Sequence, residues 1–169
     1  SHALVINTNG LVWRYLVGDA LQFTSLATYR TTVTGRLKHF INAFGEEVIV
    51  DNSDHAIEKA CAETGAIVND YTAAPVYMTG QSNGAHEWII EFEKLPWPLE
   101  VFVEKMDKAL QLVNSDYEAK RHKDIALRMP IVHIMPKDGF NRWLKDKGKL
   151  GGQHKVPRLS NERKYLEEM

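Results

Sequence analysis

Residues 99–113, LEVFVEKMDKALQLV, repeat their apolar side chains with the period of a helix. Leu99, Phe102, Val103, Met106, Leu110 and Val113 recur at the i, i+3, i+4, i+7 spacing of one face. Pro98 precedes them, suited to a first turn that needs no N–H donor. A helix with one apolar stripe must bury it against another layer. The sequence just upstream supplies that layer as strands, AIVNDYTAAPVYM (66–78) and HEWIIEFEK (86–94), the second alternating in part through Trp88, Ile90 and Phe92. Between them TGQSNGA lacks the strand-loop-helix context of a phosphate cradle and reads as a hairpin loop.

Other elements follow the same logic. Residues 53–64, SDHAIEKACAET, predict a helix capped by Ser53 or Asp54, buried through Ala56, Ile57, Ala60 and Cys61, and ended by Gly65. RLKHFINAFGEEV (36–48) predicts a strand pair turning near Gly45. SDYEAKRHKDIAL (115–127) reads as a polar helix and MPIVHIMP as an apolar strand bounded by prolines. DGFNRWLKDKG is a short helix ending at Gly148, and SNERKYLEEM a capped terminal one. The first third is strand-like: ALVINT, LVWRYLV, ALQFTSL and YRTTVTG, split by turns at Asn9-Gly10 and Gly18-Asp19. The expected class is α+β, a β-rich N-terminal segment followed by a small mixed sheet covered by helices.

With 169 residues, 44% of them hydrophobic, the chain can bury a real core. A net charge of −1 argues against a general polyanion binder. The single cysteine, Cys61, excludes a disulfide framework and a cysteine-cluster zinc site, and favours a reducing cytoplasm. No apolar run approaches the roughly 18 residues that span a bilayer, and no signal peptide is expected. Ser1-His2 reads as a tag remnant, and a chain opening directly in strand-forming residues is expected to be a fragment of something larger. His122 and His133 are at no metal-ligand spacing with another ligand, and His133, in an apolar strand, is expected to be a satisfied core histidine. No metal site is predicted.

Four short motifs carry a resemblance: RYLVGD (14–19), TGRLK (34–38), GEEV (45–48) and KVPR (155–158). In combination they resemble the adenylate-forming superfamily of acyl-CoA synthetases, peptide-synthetase adenylation domains and luciferases. The finer likeness is to the Gretchen-Hagen-type (auxin-responsive) acyl-acid amido synthetases. It covers nearly the whole chain. It implies that residues 1–37 are the last strands of a large adenylation domain and that 38–169 form a mobile C-terminal domain.

Residue by residue, the resemblance assigns nucleotide contacts to Asp19, Arg36 and Arg14. An ionised Asp19, an acceptor-only group, suits two vicinal ribose hydroxyls. Arg36, 17 residues later, would reach the ribose or phosphate side. Arg14 reads equally well as a solvated strand residue. Lys38 takes the place of the hinge about which the C-terminal domain rotates. Lys155 takes the place of the catalytic lysine, a point charge on a flexible stem that meets the substrate carboxylate and the α-phosphate as negative charge builds. The other reading of Lys155 is one of eight basic residues between Arg142 and Lys164, forming a solvated surface.

The implied cofactors are ATP and Mg²⁺ in the full-length parent, with none bound to this fragment. The implied partners are the missing N-terminal adenylation domain, a small carboxylic acid and an amino acid, with no nucleic acid and no membrane. The fragment alone is expected to be inactive. TGRLKHFINAFGEEV also resembles the acyl-CoA ligase branch, whose acceptor is a thiol, and a stand-alone binding module using the basic patch is a further alternative.

Overall fold

The structure, a computed structural model, describes residues 2–6, 15–25, 27–36, 40–80, 82–148 and 156–169. It is α+β. Strands β1 (His2–Ile6), β2 (Tyr15–Ser25) and β3 (Arg30–Arg36) form an antiparallel sheet in that order. A two-residue pair follows, β4 (Phe40–Ile41) with β5 (Val48–Ile49), its turn containing Gly45 at φ +85°. Helix α1 (Val50–Thr64) leads into β6 (Ile67–Val76), which pairs antiparallel with β7 (Ala85–Lys94). Helices α2 (Leu99–Val113) and α3 (Ser115–Arg121) then carry the chain to β8 (Ile131–Met135), parallel to β7. Two short helices, α4 (Gly139–Asp146) and α5 (Lys164–Glu167), complete the fold.

The mixed sheet β6-β7-β8 is covered on both faces. On one side Ala56, Ile57 and Ala60 of α1 and Phe102, Met106 and Leu110 of α2 pack over Tyr71, Trp88, Ile90 and Phe92. On the other, Phe140 and Trp143 of α4 and Leu166 of α5 meet Ala74, Ile89 and Met135. Double coverage explains why HEWIIEFEK alternates only in part, since a strand buried on both faces needs apolar residues on both. Even Glu91 is buried there. Its carboxylate accepts the N–H groups of Asp138 (3.0 Å) and Phe140 (3.4 Å), satisfying the otherwise unpaired donors at the start of α4.

Several expectations need correction. Gly18-Asp19 is not a turn: β2 runs through it. The register against β1 steps from Ala3↔Ala20 to Val5↔Leu16, so residues 17–19 of β2 face only one residue of β1. That is a bulge, and a glycine within a strand often marks one. Helix α1 starts earlier than expected, with Asn52 Oδ1 accepting the Ile49 N–H at 3.2 Å. Ser53, offered as a cap, is instead buried, its hydroxyl bonded to the Val50 carbonyl and to Tyr71 Oη. Gly65 ends the helix as expected, at φ +70° with its N–H on the Cys61 carbonyl.

On α2 the apolar stripe is right at Phe102, Met106 and Leu110, but Val113 is partly exposed while Asp107 is buried. Asp107 accepts from Arg121 at 2.8 and 2.9 Å and from Tyr117 Oη at 2.7 Å, which docks α3 on α2. The polar helix is shorter than its pattern implied. It stops at Arg121, and a single 3-10 turn follows in which Lys123 and Asp124 have positive φ. His133 is not a core histidine, since its side chain is 55% exposed and bonds Glu87 Oε1 at 2.8 Å. The core histidine is His86. Asn9-Gly10 lies outside the described residues. Among the described residues no helix is long and apolar enough to cross a membrane.

Candidate functional site

Two of the predicted nucleotide contacts are brought together. Asp19 on β2 and Arg36 on β3 are direct register partners, Cα opposite Cα. Gly18 stands within the bulge beside them, and the β2–β3 register shifts again just past Ala20. The pair therefore occupies an irregular part of the sheet, where a bulge bends the strand. Arg14, Lys38 and Lys155 lie outside the described residues.

The segment following Lys155 is described, and it is anchored. Val156 and Leu159 are buried. Thr72 Oγ1 donates to the Pro157 carbonyl at 2.7 Å, Ala73 N–H to the Arg158 carbonyl at 2.8 Å, and Ser160 N–H to the Ala73 carbonyl at 3.1 Å. Residues 157–160 thus lie parallel along β6, with Ala73 and Leu159 as bridge partners.

Arg158, in the KVPR motif, adds a side-chain anchor. Its guanidinium lies 4.6 Å from the Tyr71 ring centroid, and Nη1 reaches Asp54 Oδ1 at 3.1 Å. Tyr71 Oη donates to the same carboxylate oxygen at 2.6 Å, so α1, β6 and the C-terminal segment share one acceptor. Burial first, and then the Asp54 carboxylate, push the Tyr71 phenol well above its ordinary value, so it stays a neutral donor. These residues line a cleft of about 430 Å³ between α1 and the start of β6, with Ile57, Cys61 and Val68 as its apolar part. Burial raises the Cys61 thiol above its ordinary value, which suits a packing role and not a nucleophile.

The GEEV motif has a structural task. Glu46 is fully buried, and its carboxylate accepts the N–H groups of Ala43 (3.2 Å) and Phe44 (2.7 Å). It also meets His86 Nε2 at 2.9 Å, which ties the β4–β5 turn to β7. Burial opposes its charge, but the His86 contact and these backbone donors outweigh it and hold the carboxyl below its ordinary value. On the far face of the sheet Arg163 bonds Glu87 at 2.7 Å and the Pro75 carbonyl at 2.9 Å, fixing α5.

Sequence reading passed over Arg158, Tyr71, Asp54, Glu46 and His86 as partners. Arg158 and Glu46 lie within the KVPR and GEEV motifs, a usable signal, whereas Tyr71, Asp54 and His86 become partners only through the packing of α1 on the sheet and the register of β6 and β7.

Residues 51–164 match the model of the GH3 family C-terminal domain. Among solved structures, GH3.15 acyl acid amido synthetase resembles the chain with a TM-score of 0.75 at 18% identity, over 97% of this chain and 30% of that one. AtGH3.15 acyl acid amido synthetase in complex with 2,4-DB gives 0.73 at 17%, over 97% and 31%. At such identities the likeness is one of fold, and the chain spans under a third of those proteins' length. No curated protein gives a significant sequence match. The family match takes in well over half of the chain, which belongs to the GH3 family as its C-terminal domain.

Proposed function

We propose that the chain acts as the C-terminal part of an ATP-dependent acyl-acid amido synthetase. In the first step the substrate carboxylate attacks the α-phosphorus of ATP and pyrophosphate leaves. In the second an amine, from an amino acid, attacks the acyl carbonyl and AMP leaves. The observation that carries this reading is the match of residues 51–164 to the GH3 C-terminal domain.

Within it, this chain's residues have separate tasks. Asp19 accepts hydrogen bonds from the ribose hydroxyls, and Arg36, its strand partner, adds positive charge toward the ribose or phosphates. Arg14 is a further nucleotide contact. Lys155 supplies positive charge where the carboxylate and α-phosphate meet. Lys38 is the pivot about which residues 38–169 turn between the two steps. The acid pocket, the phosphate-binding loop and the magnesium ligands belong to the N-terminal adenylation domain, the partner this chain requires. Among the described residues no group of three or more His, Cys, Asp or Glu side chains could hold a metal ion. The same reading places the enzyme in the cytoplasm and makes the isolated chain inactive.

The test is to offer the full-length enzyme ATP and a panel of carboxylic acids, with amino acids or coenzyme A as acceptor. Amide formation supports the proposal. Thioester formation without amide would assign the chain to an acyl-CoA ligase, and acyl-adenylate made by this chain alone would refute its dependence on a partner domain.

A further inference from the structure

We infer that Arg158, held by Asp54 and Tyr71, is a positioning residue for Lys155, acting by fixing the register on β6 of the segment that follows that lysine in sequence. The inference rests on the role given to Lys155 under the proposed function. Its own ground is the geometry of residues 156–160, all of them described.

That segment is held on β6 by backbone pairing of Arg158 and Ser160 with Ala73 and by the Thr72 hydroxyl on the Pro157 carbonyl. Pairing alone fixes register poorly, because a strand shifted by two residues presents the same face and can make equivalent bonds. Such a slip moves every residue by about 6.6 Å along the edge. Val156 and Leu159 resist it by burial, but apolar contacts are tolerant of sliding.

Arg158 is directional in a way they are not. Its guanidinium lies over Tyr71, its Nη1 meets Asp54 Oδ1 at 3.1 Å, and its Nη2 lies 3.8 Å from Asp70 Oδ1. Asp54 is in turn fixed by the 2.6 Å bond from Tyr71 Oη, and Tyr71 Oη by Ser53 Oγ at 2.7 Å. A two-residue slip would remove the guanidinium from all of these partners. The cluster therefore specifies one register for residues 156–160, the segment that directly follows Lys155 in sequence. Catalytic charges tolerate little misplacement: an error of about 1 Å can cost on the order of 10²-fold in rate.

The experiment uses the full-length amido synthetase with four substitutions: Lys155→Ala, Arg158→Lys, Asp54→Asn, and Lys155→Ala combined with Arg158→Lys. Lysine keeps the charge of Arg158 but loses its planar, multi-donor geometry. Acyl-adenylate formation is followed by pyrophosphate release, and amine transfer is followed separately from preformed acyl-adenylate. Arg158→Lys and Asp54→Asn are expected to lower kcat of adenylation by about 10- to 100-fold, with KM for ATP and acid unchanged and amine transfer retained. In the Lys155→Ala background Arg158→Lys should add nothing, because it acts only through that lysine.

An enzyme sensitive to Lys155→Ala but indifferent to Arg158→Lys would overturn this inference and leave the proposed function standing. An equal loss from Arg158→Lys in both backgrounds, or loss of the native fold in both Arg158→Lys and Asp54→Asn, would assign the cluster to stability alone and also overturn it. Indifference to Lys155→Ala itself would remove the reading on which it rests.

Discussion

Asp19 and Arg36 stand directly opposite one another across the antiparallel β2–β3 pair, at the end of the first sheet. Sequence separates them by 17 residues, and the hairpin closes that gap. For a proposed nucleotide contact this matters, because an acceptor and a cation at one register position can address one ligand together.

That relationship makes a kinetic prediction. A hydrogen bond to a charged group contributes about 1.5–3 kcal/mol, or roughly 10- to 100-fold in affinity. Asp19→Asn in the full-length enzyme should raise KM for ATP by about that factor, and Arg36→Ala should act in the same direction. The double substitution should cost less than the sum of the two, since both act on one ligand. Steady-state kinetics with ATP varied would check it, and an unchanged KM in both single variants would contradict it.

The buried Glu46–His86 pair predicts a pH dependence of stability. The Glu46 carboxyl is held below its ordinary value in the folded protein, so it binds its proton more weakly there than in the unfolded chain. Its contribution is fully present above the unfolded value of about 4.3 and is lost as pH falls through the lower folded value. Glu46→Gln should destabilise the protein at pH 7 by on the order of 1–3 kcal/mol. The gap between wild type and variant should narrow below about pH 4. Urea denaturation at a series of pH values reads this directly, and a gap that widens in acid would reverse the sign of the argument.

Gly84 should not tolerate a side chain. A Cβ there would lie 2.2 Å from Cζ of Phe44, a ring packed against the main core. The backbone cannot retreat easily, being held by Gly84 N–H on the Ala126 carbonyl (3.0 Å) and Arg128 N–H on the Gly84 carbonyl (2.9 Å). Gly84→Ala should therefore cost about 1–3 kcal/mol, the usual range for overpacking. Gly80→Ala, with nothing within 4 Å, should stay within about 0.5 kcal/mol and serves as the control in thermal denaturation.

Asp107 is the most consequential buried carboxylate on α2. It faces Arg121 through two bonds and also accepts from Tyr117 and Gln111. Asp107→Ala would remove two of the bonds to the Arg121 guanidinium, whose side chain is only 8% exposed, and leave it the Asp124 carboxylate and the Leu127 carbonyl. The cost should fall near the lower end of the about 3–5 kcal/mol of a broken buried pair. Asp107→Asn, which keeps an acceptor, should cost less. Denaturant midpoints of the two variants would rank them, and equal costs would count against the ion pair as the cause.

Local chemistry made much of the fold legible in advance. Phe102, Met106 and Leu110 announced α2 by their spacing, Gly65 and Gly148 marked helix ends, and the β6–β7 hairpin showed in two apolar runs around one glycine-containing loop. What failed depended on distant partners. Gly18-Asp19 looks like a turn locally, and only the offset with β1 makes it a bulge inside a strand. His133 sits in an apolar run, yet the edge position of β8 leaves it exposed, while His86, with no apolar signal of its own, is buried by Glu46 and Tyr117. The candidate site divides the same way, in what proposes its residues and what brings them together. Short motifs pointed to Asp19 and Arg36, but Tyr71 and Asp54 meet Arg158 across separations of 87 and 104 residues, which no local pattern encodes.

We propose that this C-terminal domain completes an adenylating active site with Lys155. The measurement that tests it most directly is pyrophosphate release by the full-length enzyme, intact and with Lys155→Ala, alongside amine transfer from preformed acyl-adenylate. Removal of one electrostatic donor to the transition state predicts a fall in adenylation of about 10²- to 10³-fold, with transfer preserved. Adenylation at the intact rate in the Lys155→Ala enzyme would contradict the account.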